Sequence, residues 1–423
     1  MSEKPSFQAP IGTRDVLAPE SARWTAAIAT FAGIAEQHGY GLAVGPLFED
    51  LAVFERLGAS TDVVTKEMYD FFDKSDPPRH LALRPEGTAS VARAFIQQRP
   101  LTPFKAWYLT PAFRYEKPQA GRLRQHHQLG IEAMGAADPE LDVEVLSLAS
   151  SYLGALGLSQ VRLAVNSMGT TDDRARYGTT LRTWLTEHRG DLDPSDADKI
   201  DTNPLRVLDS KRRATRQVIG AAPKLIDDLS DEAAAHFEAV RGGLRSLGID
   251  HDVEPRLVRG LDYYVHTTFE FQSSALDAAQ NTIIGGGRYD GLVELLGGPP
   301  TPGIGFGSGI ERVLLACDAE GAFDAPTSTL DVFVVDVAGG QANSLATELR
   351  TAGLRVDRAF DGRSMKAQMK VAGRSSAAVA VIVGDDEVAD GTVTIRDLRT
   401  GKGQETVARS VMLSTIGSIL EDQ

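Results

Sequence analysis

The sequence predicts an α+β chain: a strand-bearing first part, a helical stretch set within it, and a small layered α/β domain at the end. Three observations carry this expectation. Residues 81–132 alternate strand-like pieces with polar, arginine-bearing turns. Residues 170–248 are rich in Ala, Asp and Arg and show few strand signals, which reads as a mostly helical insertion. Beyond the turn-rich linker Asp318–Thr329, the pattern becomes β-α-β-α-β. A length of 423 residues suits two to three domains, and 42% hydrophobic with 24% charged residues is ordinary for a chain that buries a core.

The first helix is expected over Ser21–His38, with Trp24, Ile28, Phe31 and Ile34 on one face and Ser21 as its cap after Pro19. Gly39 and Gly41 end it, and an extended segment follows around Gly45-Pro46-Leu47-Phe48. Lys105–Arg114 and Gln128–Met134 read as strands of a hairpin whose loop is Lys117-Pro118-Gln119-Ala120-Gly121. Asp142–Leu156 reads as a helix and Gln160–Asn166 as a strand. Strand signals return at Val265–Gln272, before the glycine-dense stretches Gly285–Gly291 and Gly303–Gly309 and a helix over Ile310–Ala319. The terminal domain is built from strands Leu330–Val337, Arg355–Phe360, Ala378–Gly384 and Thr392–Asp397, with helices Asn343–Ala352 and Met365–Ala372.

Composition excludes several classes. The longest clean apolar run, Ala377–Val383, has seven residues, whereas a membrane span needs about 20. The first fifteen residues carry neither the apolar core of a signal peptide nor a basic amphipathic pattern, so a cytoplasmic protein is expected. One cysteine, Cys317, precludes internal disulfides and thiolate metal cages, and with eight scattered histidines no protein-only metal site is expected. A net charge of −14 argues against indiscriminate nucleic-acid binding and leaves room for a local basic groove.

Five constellations can carry chemistry. Arg84-Pro85-Glu86-Gly87-Thr88 places a carboxylate and a hydroxyl beside a glycine, a turn that can hold an ammonium group and that also occurs as plain surface structure. Phe113-Arg114-Tyr115-Glu116 leads into Arg122-Leu123-Arg124, so Lys105–Arg124 holds five basic residues against Glu116. Guanidiniums bind phosphate bidentately, although a solvated hairpin tip explains the charges equally well. Arg259-Gly260-Leu261-Asp262-Tyr263-Tyr264 pairs an arginine with aromatic hydrogen-bonding walls, and alternation leaves one tyrosine free to be core. Gly285-Gly286-Gly287-Arg288-Tyr289-Asp290-Gly291 permits close ligand approach, or simply a tight turn. Gly303–Gly309 alternates glycine with larger residues, a strand with one bare face on which a flat base can lie, and ends in Glu311-Arg312 before an apolar helix.

Together these segments resemble the class II aminoacyl-tRNA synthetases, and among them the histidyl-tRNA synthetase family. Phe113–Glu116 is similar to the second class motif, Gly305–Arg312 to the third, and the segment around Pro46 to the first, which forms the dimer interface in that class. Arg259–Tyr264 and Gly285–Gly291 resemble segments characteristic of the histidyl family. The likeness runs from Ile11 to Val393; His126 and Lys117 depart from it, standing where the family usually has an aromatic ring and an arginine.

The resemblance implies a catalytic domain on an antiparallel sheet (residues 1–169 and 251–320), a mostly helical insertion (170–250), a linker (321–329) and an α/β anticodon-binding domain (330–423). It implies a histidine–tRNA ligase, which joins L-histidine to ATP and passes the histidyl group to tRNA-His. Arg114, Arg259 and Arg312 are then the catalytic cations, with Glu116 and Arg122 completing the ATP site. Glu86, Gly87, Thr88, Gln128, Glu132, Arg259, Tyr263 and Tyr264 form the histidine site, with Glu86, Thr88 and Gln128 toward the ammonium and Glu132 and Tyr264 toward the imidazole. Lys117 and Gln119 face the tRNA end, and Arg363 and Lys366 the anticodon stem, within a stretch of seven basic residues against Asp357 and Asp361. ATP comes with Mg2+, no tightly bound cofactor is expected, and the chain is expected to be a homodimer without membrane contact. One rival is a silent paralogue that senses histidine as a regulatory subunit of ATP phosphoribosyltransferase; such chains usually lose the Arg259 segment and the terminal domain. Other class II synthetases lack Arg259–Tyr264, and a non-enzymatic nucleic-acid-binding module sits poorly with the acidic total.

Overall fold

A computed structural model describes residues 7–56, 64, 66–208, 210, 212–258, 263–277, 280–324, 330–401 and 403–421. The chain forms two compact units, Met1–Val16 with Trp24–Asp324, and Leu17–Arg23 with Ala325–Gln423.

The larger unit contains the strands β1 (Gly41–Leu42), β2 (Phe48–Asp50), β3 (Tyr69–Phe72), β4 (His80–Leu83), β5 (Phe104–Phe113), β6 (Gln125–Met134), β7 (Val161–Ser167), β8 (Asp252–Val253), β9 (Val265–Ser273), β10 (Thr282–Arg288) and β11 (Gly303–Gly309). Eight of them make one sheet in the order β1-β5-β6-β11-β10-β9-β7-β8. Its six central strands are antiparallel, and the short β1 and β8 join its edges in parallel. Strands β2, β4 and β3 form a separate three-stranded sheet that sequence alternation did not announce.

The period of two along each strand divides the large sheet into a structural face and a chemical face. Leu129 and Ile131 of β6 and Ile304 and Phe306 of β11 pack into the main core with Phe31 and Tyr152. Gln128 and Glu132 of β6, and Gly305 and Gly307 of β11, are the alternate residues on the other face. The helix Glu20–Gln37 supplies Trp24, Ala27, Phe31 and Ala35 to the core; Ile28 and Ile34 are only partly buried against it. Ser21 lies within that helix rather than capping it, because the helix begins one residue earlier. The helix Pro139–Ala155 starts three residues before the expected position, capped by the Asp138 carboxylate on the Glu140 amide at 3.0 Å.

The described residues of 171–246 form helices joined by turns and loops, with the longer helices Thr171–Glu187 and Asp231–Ser246 and a small core of Tyr177, Leu181, Leu185 and Ile200. Thr170 and Asp173 close a reciprocal capping box at its entry.

The smaller unit holds β12 (Leu330–Asp336), β13 (Val356–Arg358), β14 (Ala377–Val383), β15 (Thr392–Asp397) and β16 (Gln404–Ala408) in the order β13-β12-β14-β15-β16. β13 and β14 flank β12 in parallel, and β15 and β16 are antiparallel. The helices Ala342–Thr351 and Met412–Glu421 bury Leu345, Leu349, Met412 and Ile416 on one face. The helix Met365–Ala372 covers the other, against Phe333 and Val335.

Candidate active site

Glu132 of β6 is completely buried on the chemical face and gathers three hydroxyl donors. Thr88 Oγ1 donates to its Oε1 at 2.6 Å and Tyr108 Oη to the same oxygen at 3.2 Å. Tyr289 Oη donates to Oε2. Burial pushes the Glu132 carboxyl up to about 8, against the lowering effect of these donors. The neighbouring Glu86 is also raised by burial, partly offset by the backbone amides of Thr88 at 2.6 Å and Ala89 at 2.9 Å, which donate to its two oxygens. Glu86 therefore satisfies the first two amides of the helix Thr88–Gln98, whose N-cap residue is Gly87, while facing the same cluster. Gln128 Oε1 accepts from the Gly87 amide at 3.0 Å. Tyr263 and Tyr264 are both buried, with ring centroids 4.7 Å apart, and Arg174 donates to the Tyr264 carbonyl at 2.6 Å. The structure thus brings Glu86, Gly87, Thr88, Gln128, Glu132, Tyr263 and Tyr264 together on one buried floor.

The glycines of β11 explain how this floor fits. The expected bare face for a flat base is occupied over most of its length. A Cβ on Gly303 would strike the Tyr289 ring, one on Gly305 would lie 2.0 Å from Glu132 Oε2, and one on Gly307 would lie 2.0 Å from Gln128 Nε2. Only Gly309, at the far end, faces open space. The alternation makes room for the polar side chains of β6 and Tyr289 more than for a base.

Next to the floor lies a cleft of about 520 Å³, with Gln128, Gly307 and Gly309 at their boundary. Arg114 and Arg312 line it, together with Glu116, Arg122, His126, Glu270 and Glu311. Arg114 Nε donates to the Pro85 carbonyl at 2.9 Å, which ties it to the Glu86 turn. Arg312 donates to the Thr282 carbonyl at 2.8 Å and to the Gly121 carbonyl at 3.3 Å, so it joins β10 to the loop tip. Glu116 and Arg122 form an ion pair with each other across that loop. Burial and the Arg114 and Arg312 cations lower the His126 imidazole to about 3, which keeps it neutral. His127 points the other way, as alternation requires, and its amide and ring both engage Glu311, at 3.0 Å and 2.9 Å.

The glycine-dense segment before Tyr289 is not a tight turn: it is β10, in the middle of the sheet, and its Gly285 lines the cleft. Arg288 is fully buried there in an ion pair with Asp142, and it also donates to the Ala136 carbonyl at 3.1 Å. Asp142 accepts further from His236 at 2.8 Å and Thr267 at 2.6 Å. Lys117 and Gln119 are exposed on the loop between β5 and β6, whose tip is closed by reciprocal 3.0 Å backbone bonds between Gln119 and Arg122. Arg363 and Lys366 are exposed in the smaller unit, Arg363 paired with Asp361 at 3.0 Å. Arg259, Gly260, Leu261 and Asp262 lie outside the described residues. Among the described residues, no three His, Cys, Asp or Glu side chains converge as a metal site. Tyr108 and Tyr289 were missed as site residues by sequence reasoning. Tyr289 stood inside a noted motif, whereas Tyr108 looks like any strand tyrosine.

A family model described as histidyl-tRNA synthetase matches residues 12–313. The chain belongs to the histidyl-tRNA synthetase family. A second model, of an anticodon binding domain, matches residues 331–419. The chain is 45% identical to a histidine–tRNA ligase of Levilactobacillus brevis over 409 residues, covering 94% of each. It is 45% identical to that of Rhodococcus erythropolis over 429 residues, covering all of both. Among solved structures it is similar to apo Staphylococcus aureus histidyl-tRNA synthetase, with a TM-score of 0.80, 34% identity, and coverage of 97% of this chain and 100% of that one. A Bacillus halodurans chain described as an ATP phosphoribosyltransferase regulatory subunit/histidyl-tRNA synthetase shares the fold, with a TM-score of 0.61, 21% identity, and coverage of 84% of this chain and 93% of that one.

Proposed function

We propose that the chain is a histidine–tRNA ligase, with the buried floor around Glu132 as its histidine pocket and the adjoining cleft as its ATP site. The observation that carries this is the hydroxyl-lined Glu132 carboxyl set directly beside a cleft walled by Arg114 and Arg312. On this reading Glu132 and Tyr264 take the two imidazole nitrogens, and Glu86, Thr88 and Gln128 the α-ammonium. A pocket that hydrogen-bonds a polar side chain rejects analogues lacking that group, because its own buried groups would be left unpaired.

Histidine's carboxylate attacks the α-phosphate of ATP, forming histidyl-adenylate and releasing pyrophosphate. Anion meets anion, so fixed cations must offset the charge that builds at the phosphate. Arg114 serves the α-phosphate and Arg312 the γ-phosphate. Both are oriented by backbone carbonyl oxygens, of Pro85 for Arg114 and of Thr282 and Gly121 for Arg312. Arg259 serves the α-phosphate and the carboxylate. Glu116 and Arg122 frame adenine and the remaining phosphates once their mutual pair opens. Magnesium arrives with ATP; Glu116 and Glu311 are already paired, which disfavours a protein-only cage in this cleft. The terminal ribose hydroxyl of tRNA-His then takes the histidyl group, with Lys117 and Gln119 toward the tRNA end and Arg363 and Lys366 toward the anticodon stem.

The same reading divides the chain into a catalytic domain (1–169 and 251–320), an insertion (170–250), a linker (321–329) and an anticodon-binding domain (330–423). It makes the protein a cytoplasmic homodimer. The exposed Leu42, Val44, Leu47 and Phe48, around the segment that resembles the class dimer motif, support the dimer. No helix among the described residues is long and apolar enough to cross a membrane.

The test is charging of tRNA-His transcript with labelled histidine. Transfer that depends on ATP supports the ligase. Tight histidine binding with no transfer would favour the regulatory paralogue, a reading already weakened by the anticodon-domain match over residues 331–419.

A further inference from the structure

In the smaller unit, β12 leads to the helix Ala342–Thr351 on one face, and β13 leads to the helix Met365–Ala372 on the other. Adjacent parallel strands whose connections leave on opposite faces open a crevice beyond their carboxyl ends, the usual place for a ligand in such sheets. Phe360 stands at that edge, two residues past β13, and is 56% exposed. The Arg358 guanidinium lies 4.3 Å from the centre of its ring. An aromatic ring held against an arginine and left open to water is a poor core element and a good surface for a nucleobase.

The surroundings favour an RNA strand. Lys366 and Lys370 are one turn apart on the following helix, and so share a face, with Arg363 just before them. The exposed Arg363–Asp361 pair is a weak surface contact that a phosphate can displace. The acidic run Asp385-Asp386-Glu387 follows β14, on the other side of β12, so the edge is basic only toward β13. The loop is also preorganised. Gln368, almost fully buried, donates to the Asp336 carbonyl at 2.6 Å and the Arg363 carbonyl at 2.7 Å, and accepts from the Asp336 amide at 3.0 Å. Binding then costs little further ordering.

We infer that Phe360, backed by Arg358, is a stacking platform for one unpaired base of the tRNA anticodon loop, at the crevice beyond β12 and β13. This rests on the reading of the chain as a tRNA ligase and deepens it by naming the contact.

The test uses the full-length protein and tRNA-His, with binding followed by fluorescence anisotropy and charging measured separately. Phe360→Ala should weaken binding and raise the tRNA KM by about 5- to 150-fold, the range expected for one lost base stack. ATP–pyrophosphate exchange should not change. Phe360→Trp should restore binding, and Phe360→Leu should not. Making the anticodon bases abasic one at a time should find one position at which the wild type weakens and Phe360→Ala loses nothing more. Unchanged binding by Phe360→Ala, rescue by leucine, or equal sensitivity of Phe360→Ala to every abasic position would overturn the platform. Tight tRNA binding without charging would instead overturn the ligase reading and leave the platform standing.

Discussion

Gly305→Ala is the sharpest perturbation of the proposed histidine floor. An added Cβ would lie 2.0 Å from Glu132 Oε2 and 2.3 Å from the Ile131 carbonyl oxygen, while real Cβ contacts stay beyond 3.0 Å. The Ile131 carbonyl belongs to the paired backbone of β6 and cannot swing aside, so β11 is pushed off β6 at this point while the Glu132 carboxyl retreats by about 1 Å. That retreat strains the bonds from Thr88, Tyr108 and Tyr289 together. A displacement of about 1 Å at a positioned group costs on the order of 100-fold in rate, and overpacking adds about 1–3 kcal/mol of instability. Pyrophosphate exchange at varied histidine should show kcat/KM for histidine down by about that factor. Gly309→Ala is the control on the same face of the same strand. Nothing lies within 4 Å of its Cβ, and it lines the ATP cleft. Its effect should fall on the ATP KM and spare the histidine KM. A Gly305→Ala protein with wild-type histidine kinetics would refute the assignment of the floor.

Three further outcomes are expected. Burial raises Glu132 from its ordinary 4.5 to about 8, so the folded protein keeps a proton that the unfolded chain has released between those values. This contribution therefore loses stability as pH rises through the window. Glu132→Gln should gain in melting temperature relative to wild type as pH rises from about 5 to 8, and a pH-independent difference would contradict this. Asp142→Ala strips the buried Arg288 guanidinium of its fully buried counter-charge and leaves the Thr267 hydroxyl and the His236 ring without their carboxylate, so denaturant unfolding should show a loss of about 3–5 kcal/mol. A loss below about 1 kcal/mol would mean that the network is dispensable. Charge reversal at Arg363 and Lys366 should raise the tRNA KM and leave adenylate formation alone; equal loss of both would reject the RNA-facing role.

The sequence made the long periodic elements legible. Trp24 and Phe31 mark the first helix by the face they bury, and the helix Met365–Ala372 and strand Thr392–Asp397 lie where expected. β16 and the helix Met412–Glu421 went unseen. β16 is short, polar and almost wholly exposed, so no alternation reports it. The β2-β4-β3 sheet is hidden for a related reason, since Phe71 and Phe72 are adjacent and both exposed. In the candidate site, charged and glycine-rich segments were visible as segments. What they touch was not: Gly305 gives no hint in sequence that it clears space for Glu132, 173 residues earlier. Tyr108 and Tyr289 act through one carboxylate that only the sheet register brings between them.

ATP–pyrophosphate exchange should be measured with each of the 20 amino acids, using the wild type and Arg259→Ala. Exchange is expected with histidine alone and is lost in the variant. Exchange with another amino acid in preference to histidine, or with none, would contradict it.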